Sequence, residues 1–237
     1  MSRPNAIDLN ADLGEGFPND ARLLGLVTSA SVSCGAHAGD PGTILATLNE
    51  AKARGVAVGA HPGFADRAGF GRVERSATAD EVERLIVSQC ESLADLASRV
   101  GLTLRFVKPH GALYNQAQKD PEIAAGVVAA ARRLGLPVLG QPGSVLASRL
   151  VEDGVGFVAE GFPDRRYEPD GRLTPRDRPG ALLRPDEVEA QVVGLVTQGL
   201  DTLCIHGDHP DAVQNAEAVR AVLLRHGLAA KFWAPGA

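Results

Sequence analysis

Leu104-Arg-Phe-Val-Lys-Pro-His-Gly-Ala-Leu-Tyr-Asn115 carries the pattern that the rest of the chain repeats. Its first four residues form an apolar β-type run, Lys108 to Gly111 form a polar turn, and a helix follows. Similar runs lie at residues 6–9, 30–33, 56–59, 137–139, 156–159 and 202–205. Segments of helical period separate them, most plainly where Val82, Leu85, Ile86, Leu93, Leu96 and Val100 share one face. Strands that alternate with helices imply a parallel sheet with short crossovers. Seven of them suit either an open doubly wound sheet or a closed barrel, and periodicity leaves both open.

Local signals punctuate this α/β plan. Thr78 with Glu81 three residues later reads as a capping box. Asp40-Pro41 and Asp120-Pro121 each place a capping carboxylate before a proline at the first helical position. Gly55, Gly135 and Gly227 follow periodic stretches, where a left-handed C-cap is expected. The 237 residues suit one (β/α) barrel, typically about 250 residues, or two small domains. No linker or low-complexity tract divides them, so residues 1–237 read as a single domain. Residues 162–178, rich in Pro, Asp, Arg and Gly, read as a long active-site loop.

A formal charge of −5, with acids and bases interleaved, lacks the basic stripe that nucleic acid or an anionic membrane surface requires. No apolar run approaches the roughly 18 residues needed to span a bilayer, and the start lacks the apolar core of a signal peptide. Cys34, Cys90 and Cys204 form no CxxC pair, so a reducing, cytoplasmic location is expected.

Polar residues collect at strand ends. Asn10, Asp12 and Glu15 follow the first run, His37 and Asp40 the second, and His61 the third. Lys108 and His110 follow the fourth, Glu160 the sixth, and His206 and Asp208 the seventh. In parallel α/β folds these ends converge on one face, where ligands bind. His37, His61, His110 and His206 are therefore read as site residues, whereas His226 at a helix end is read as a hydrogen-bonded core residue or a cation that compensates the helix dipole, and His209 beside Pro210 as a cap neighbour. Lys108 at the close of an apolar strand needs an anionic partner. A bound phosphate or carboxylate is preferred here over an internal pair with Asp or Glu. Glycines at the same ends fit close backbone approach to a ligand, and equally fit tight turns. There is no GxxxxGK[ST], no HExxH and no GxSxG. Cys34 and Cys204 lie close in sequence to His37 and His206, but buried thiols are the commoner outcome.

The motifs are together specific enough to identify the chain as similar to a known family. They are Asp8-Leu-Asn-Ala-Asp-Leu-Gly-Glu-Gly-Phe17, Ser33-Cys-Gly-Ala-His-Ala-Gly-Asp-Pro41, Gly59-Ala-His-Pro-Gly-Phe64 and Gly69-Phe-Gly-Arg72. They continue with Val107-Lys-Pro-His-Gly-Ala-Leu-Tyr-Asn115, Asp164-Arg-Arg-Tyr167 with Asp170-Gly171, and Cys204-Ile-His-Gly-Asp208. In this order they resemble the LamB/YcsF family, the A subunits of 5-oxoprolinase, across essentially the whole chain. Ala36 departs from the bulkier residue expected there.

The resemblance implies a distorted seven-stranded (β/α) barrel of the glycoside hydrolase/deacetylase kind. It also implies ATP-dependent opening of 5-oxoproline (pyroglutamate) to L-glutamate, with partner subunits B and C. On that basis Asp12, Lys108, His110, His206 and Asp208 are the expected catalytic residues. Asn10, Glu15, Arg72, Glu160 and Arg165 are expected to bind substrate or nucleotide. Lys108, with Arg72 or Arg165, would compensate phosphate charge, and Lys108→Met is expected to abolish turnover with the fold intact. Asp12 or Asp208 would activate water, and His110 or His206 would pass protons to the ring nitrogen. Arg165 is an alternative clamp for the substrate carboxylate. ATP brings Mg²⁺ with it, and Asp12, His37 and His61 have the donor types for a dedicated divalent metal. Two other functions fit the same face: an ATP-independent, metal-dependent deacetylase-like hydrolase, and a non-catalytic protein that binds the ligand for its partners.

Overall fold

Residues 6–233 are described by a computed structural model. Side chains alternate between two faces along a strand, and that alternation organises the sheet. In β1 (Ala6–Leu13), Leu9, Ala11 and Leu13 join the main apolar core, while Asp8, Asn10 and Asp12 are buried on the opposite face. In β2 (Ser29–Ser33), Ala30 and Val32 join the core and three serines face the other way. The pattern recurs in β3 (Ala57–His61), with Val58 and Ala60 set against Gly59 and His61. The ring continues through β4 (Leu104–Val107), β5 (Val138–Gly140), β6 (Phe157–Gly161) and β7 (Thr202–His206).

All these strands are parallel, and β1 pairs with both β2 and β7, so the sheet closes on itself in the order β2-β3-β4-β5-β6-β7-β1. The expected seven-stranded (β/α) barrel is therefore present, and the open doubly wound alternative is excluded. The distortion lies between β3 and β4, where the register shifts between Val58 and Ala60, and between β4 and β5, which register only at Val107 and Val138. A two-residue strand, β8 (Ala229–Ala230), pairs with the first residues of β1.

The helices α1 (Asp20–Leu24), α2 (Pro41–Arg54), α3 (Ala79–Arg99) and α4 (Gly111–Ala117) follow the first strands. They are joined by α5 (Pro121–Leu134), α6 (Val145–Glu152), α7 (Pro185–Thr197) and α8 (Ala212–Arg225). The main core fills the layer between the helices and the outer face of the barrel. The caps are those read from sequence: Asp40 and Asp120 accept backbone N–H groups, and Thr78 with Glu81 closes a capping box. Gly55 and Gly135 are left-handed C-caps, with φ of 67° and 65°. Gly227 lies one residue beyond the His226 cap of α8. No helix among the described residues is long and apolar enough to cross a membrane.

Phe106, Leu139 and Val158 form a separate apolar cluster with Phe232 and Trp233 against it. A Cβ on Gly59 would overlap the Phe106 ring, so glycine is required where that ring crosses the barrel. The strands run further than their apolar stretches. Asn10 and Asp12 lie within β1 rather than after it, and His61, Glu160 and His206 lie within β3, β6 and β7. The cause is that their polar side chains face a polar barrel interior, which an apolar-run criterion does not see.

Candidate active site

Lys108 sits at the floor, 2% exposed. Its Nζ donates to Asp12 Oδ1 at 2.9 Å, lies 2.9 Å from Glu160 Oε1, and touches Cys204 Sγ. The anion that Lys108 requires is thus supplied from within the chain, which corrects the expectation of a bound phosphate. Burial opposes the ammonium, but Asp12 foremost, with Glu160 beyond it, raises its pKa well above the lysine value. Burial alone would likewise raise the Asp12 carboxyl. His61 and Lys108 outweigh it and hold Asp12 well below the usual carboxylate range.

Beside Asp12 stand Glu15 and three imidazoles, His37, His61 and His110, all buried. His61 Nε2 is 3.4 Å from Asp12 Oδ2 and 2.9 Å from His110 Nδ1. Glu15 Oε1 is 3.3 Å from His37 Nε2, 3.4 Å from His110 Nδ1 and 3.8 Å from His61 Nε2. His37 and His110 stack at 3.7 Å with 2° between their planes. Burial lowers all three imidazoles, His37 to about 3, His61 to about 4, and His110 well below its ordinary value. Burial, reinforced by Asp12 and Asp208, raises Glu15 well above its own.

Loops hold these rings in place. Arg67 donates to the carbonyls of Gly35 and Gly39 at 2.6 and 2.8 Å, shaping the turn that presents His37. Phe70 adopts a left-handed φ of 54°, sparsely populated for a residue with a side chain, and its carbonyl accepts from His110 Nε2 at 2.8 Å. Its ring meets His37 and His110 edge-on.

On the opposite wall, His206 is 14% exposed at its side chain and stacks on Phe162. Its Nδ1 lies 3.0 Å from both oxygens of Asp164, whose Oδ2 also accepts the His206 backbone N–H at 2.8 Å. Burial would raise the Asp164 carboxyl, but His206 lowers it to about 2. This pairing fixes the Nδ1–H tautomer and leaves Nε2 as a proton acceptor or donor.

Above the floor opens a cavity of about 1380 Å³, whose lining includes Asp12, Glu15, His61, Lys108, His110 and His206. Its rim is arginine-rich. Arg176 grips Asp208 through two bonds of 2.8 and 3.0 Å, and Arg72 adds a third at 2.5 Å. Burial would raise Asp208, but Arg176 and Arg72 hold it below its ordinary value. Asp208 is thereby a poor base for water and a good anchor for two guanidinium groups. Residues 168–178 line the cavity, as the long loop was expected to do.

Most of the expected residues come together here, but not all in the expected parts. Asn10 is fully buried and donates to Glu160 and Thr202 at 3.2 and 2.9 Å, so it braces the floor and is absent from the cavity lining. Glu160 serves Lys108 and lines a smaller cavity of about 390 Å³ beside α7. Arg165 lines the main cavity, yet its guanidinium donates to the carbonyls of Thr174 and Ala181, which stitches the loop. Asp40 only caps α2, and His209 accepts the Asp211 N–H at 2.9 Å as a local turn residue. Among the described residues Cys34, Cys90 and Cys204 are unpaired, and burial raises their thiols. Sequence reasoning missed Asp164 as a site residue, Arg176, and Asp8. Asp8 accepts from Thr28, Ser29 and Thr202, and burial raises it to about 6. The available signal for Asp164 was its place at the head of the Asp164-Arg-Arg-Tyr167 motif, since its burial shows only in the fold.

The LamB/YcsF family pattern matches residues 7–235. A protein from Methylococcus capsulatus that is named as the A subunit of 5-oxoprolinase is 46% identical over 243 residues, covering 94% of each chain. The crystal structure of a lactam utilization protein from Thermus thermophilus superposes with a TM-score of 0.88 at 38% identity, covering 96% of this chain and 100% of that one. The catalytic domain of peptidoglycan N-acetylglucosamine deacetylase from Eubacterium rectale gives a TM-score of 0.56 at 11% identity, covering 98% and 90%. That last likeness is one of fold.

Proposed function

The chain belongs to the LamB/YcsF family, and from that premise we propose that it is the A subunit of a cytoplasmic, ATP-dependent 5-oxoprolinase working with B and C subunits. The observation that carries this reading is the cavity itself. An orienting Asp164–His206 pair and a buried acid–imidazole cluster share one space under an arginine rim. 5-Oxoproline is a five-membered lactam with one carboxylate. Arg72 and Arg176 suit the carboxylate or a phosphoryl group, because a planar guanidinium recognises either through paired bonds.

A lactam carbon is a poor electrophile. Transfer of the γ-phosphoryl group of ATP to the amide oxygen, with ADP leaving, activates it. Water then adds to that carbon, the carbon–nitrogen bond breaks as the nitrogen takes a proton, and a second water releases phosphate. The balance is one ATP, one lactam and two waters in, with glutamate, ADP and phosphate out. His206 Nε2, held by Asp164 through Nδ1, delivers the proton to the ring nitrogen. Lys108 acts indirectly: it keeps Asp12 ionised and aimed at His61. Mg²⁺ travels with ATP, held mostly by phosphates and water.

The test is reconstitution of the purified chain with candidate B and C subunits, following glutamate and phosphate release from 5-oxoproline and ATP. Equimolar release that requires all three subunits is expected. Deacetylation of an N-acetylglucosamine oligomer by the chain alone, without ATP, would replace this reading with the hydrolase alternative. Full turnover by B and C without the chain would reduce it to a binding role.

A further inference from the structure

His61 and His110 face one another with both inward nitrogens bare. His61 Nδ1 lies 2.8 Å from the Lys108 carbonyl oxygen. A carbonyl only accepts, so that nitrogen carries the hydrogen. His110 Nε2 lies 2.8 Å from the Phe70 carbonyl oxygen, which fixes its hydrogen by the same logic. Each neutral ring has one hydrogen to place, and both are spent outward. His61 Nε2 and His110 Nδ1 therefore present lone pairs to each other across 2.9 Å. Two lone pairs at that distance repel unless a positive centre joins them.

Glu15 closes on the same point, and Asp12 approaches it from the His61 side. Glu15 Oε1 is 3.4 Å from His110 Nδ1 and 3.8 Å from His61 Nε2, and Asp12 Oδ2 is 3.4 Å from His61 Nε2. Donors about 2.1 Å from a common centre at tetrahedral angles stand about 3.4 Å apart, and these four separations, 2.9 to 3.8 Å, bracket that value. A bridging proton would account for the nitrogen pair alone and leave the convergence of two carboxylates unexplained. The carbonyl behind each ring is the outer support that metal-bound imidazoles usually have.

His37 is in the cluster but takes a different part. Its plane is parallel to that of His110 at a 3.7 Å centroid separation, and two parallel stacked rings cannot both point their in-plane lone pairs at one ion. Its Nε2 instead reaches Glu15 Oε1 at 3.3 Å. His37 is a positioning residue for the carboxylate.

We propose that Asp12, Glu15, His61 and His110 hold one divalent transition-metal ion at the cavity floor. The set differs from the sequence expectation of Asp12, His37 and His61 by exchanging His37 for His110 and adding Glu15. Two imidazoles with two carboxylates suit Zn²⁺, Co²⁺ or Mn²⁺. Such an ion supplies a Lewis acid and an activated water when bound. The site follows from side-chain geometry and holds whether or not the substrate is 5-oxoproline.

The experiment uses the full chain, stripped with a chelator, dialysed and titrated with Co²⁺. Visible absorption reports coordination, and elemental analysis after Zn²⁺ loading gives the stoichiometry. One equivalent should bind, with the intense bands of low-coordinate Co²⁺, displaced by Zn²⁺. His61→Ala, His110→Asn and Glu15→Gln should each weaken binding at least 100-fold, His37→Ala about tenfold, and His226→Ala not at all. Circular dichroism identifies the variants that are folded, and the isosteric Glu15→Gln serves should the histidine variants fail to fold. No stoichiometric binding of Co²⁺, Zn²⁺ or Mn²⁺ below millimolar concentration would overturn the proposal. Binding unchanged in a folded variant would do the same, as would a nitrogen NMR signature of one proton shared by His61 and His110 in metal-loaded protein.

Discussion

Replacing Lys108 with methionine removes one ammonium from between two buried carboxylates, each 2.9 Å away. The three side chains are 2%, 6% and 0% exposed, so water cannot solvate what is left. Breaking a buried pair from one side costs roughly 3–5 kcal/mol, a large part of the roughly 5–15 kcal/mol that holds a domain together. For a chain of this length each kcal/mol moves Tm by about 2–4 °C, so a fall of roughly 6–20 °C is expected. This replaces the expectation that Lys108→Met leaves the fold untouched. The pH dependence separates this cause from a simple packing defect. The Lys108 ammonium is raised above its ordinary value, so its stabilisation is fully present throughout the neutral range. In the variant, burial without a cation favours the neutral carboxyl forms, so the folded state holds protons to higher pH than the unfolded chain does. The deficit should therefore be small near pH 4–5 and grow as pH rises toward 8. Thermal unfolding by calorimetry at several pH values measures it, and Lys108→Met with Glu160→Gln should recover part of the loss at pH 8. A deficit under about 3 °C at pH 8, or one equal at pH 5 and pH 8, would refute the reasoning.

Asp164→Asn should lower kcat roughly 100-fold, the usual scale for disturbing an acid–base group, and should change the pH–rate profile, whereas a merely structural role would leave its shape alone. Because Asp164 is lowered from 3.8 to about 2, the wild type holds roughly 2 kcal/mol above pH 4 that fades as pH falls toward 2, and denaturant titrations of the variant should lack that slope. Gly59→Ala forces a methyl into the Phe106 ring and should cost about 1–3 kcal/mol, with chemical denaturation showing recovery on adding Phe106→Leu. Arg176→Leu should raise the KM for 5-oxoproline roughly 10- to 100-fold, the loss of a charge-assisted hydrogen bond, with kcat little changed. An unaltered KM would remove Arg176 from substrate binding.

The strand–turn–helix rhythm was legible because parallel strands with helical crossovers leave apolar runs and caps as local marks, and Asp40, Thr78 and Asp120 all cap where they were expected to. Barrel closure was not read from the apolar runs, which suit an open sheet equally, but the polar face of the strands carries a mark of it. A parallel sheet covered by helices on both faces reads as continuous apolar strands, whereas Asp8-Leu-Asn-Ala-Asp-Leu13 and Ser29-Ala-Ser-Val-Ser33 alternate strictly. One face of such strands must meet a polar space, and a closed barrel with a solvated mouth provides one. What stayed hidden was pairing over distance. Lys108 finds Asp12 across 96 positions and Asn10 finds Glu160 across 150, and nothing local distinguishes an acid that serves a lysine from one that serves a ligand.

The vertical order of charge in the barrel constrains how an anionic lactam can enter. The floor holds Asp12 and Glu160, with Asp8 and Glu15 buried nearby, and Lys108, the one buried ammonium among the described residues, is already taken up by Asp12 and Glu160. A carboxylate or phosphate driven down onto that floor would meet net negative charge in a poorly solvated space, where Coulomb repulsion is strongest. The guanidinium groups of Arg72 and Arg176 stand above, fixed by Asp208. On the proposed function, the lactam therefore binds with its carboxylate toward the rim and its amide toward His61, His110 and His206. The same layering makes a cation at the floor stabilising on its own account, because it offsets Asp12 and favours ionisation of Glu15 before any substrate arrives. Anion recognition at the mouth and cation binding at the base are thus two consequences of one charge gradient along the barrel axis.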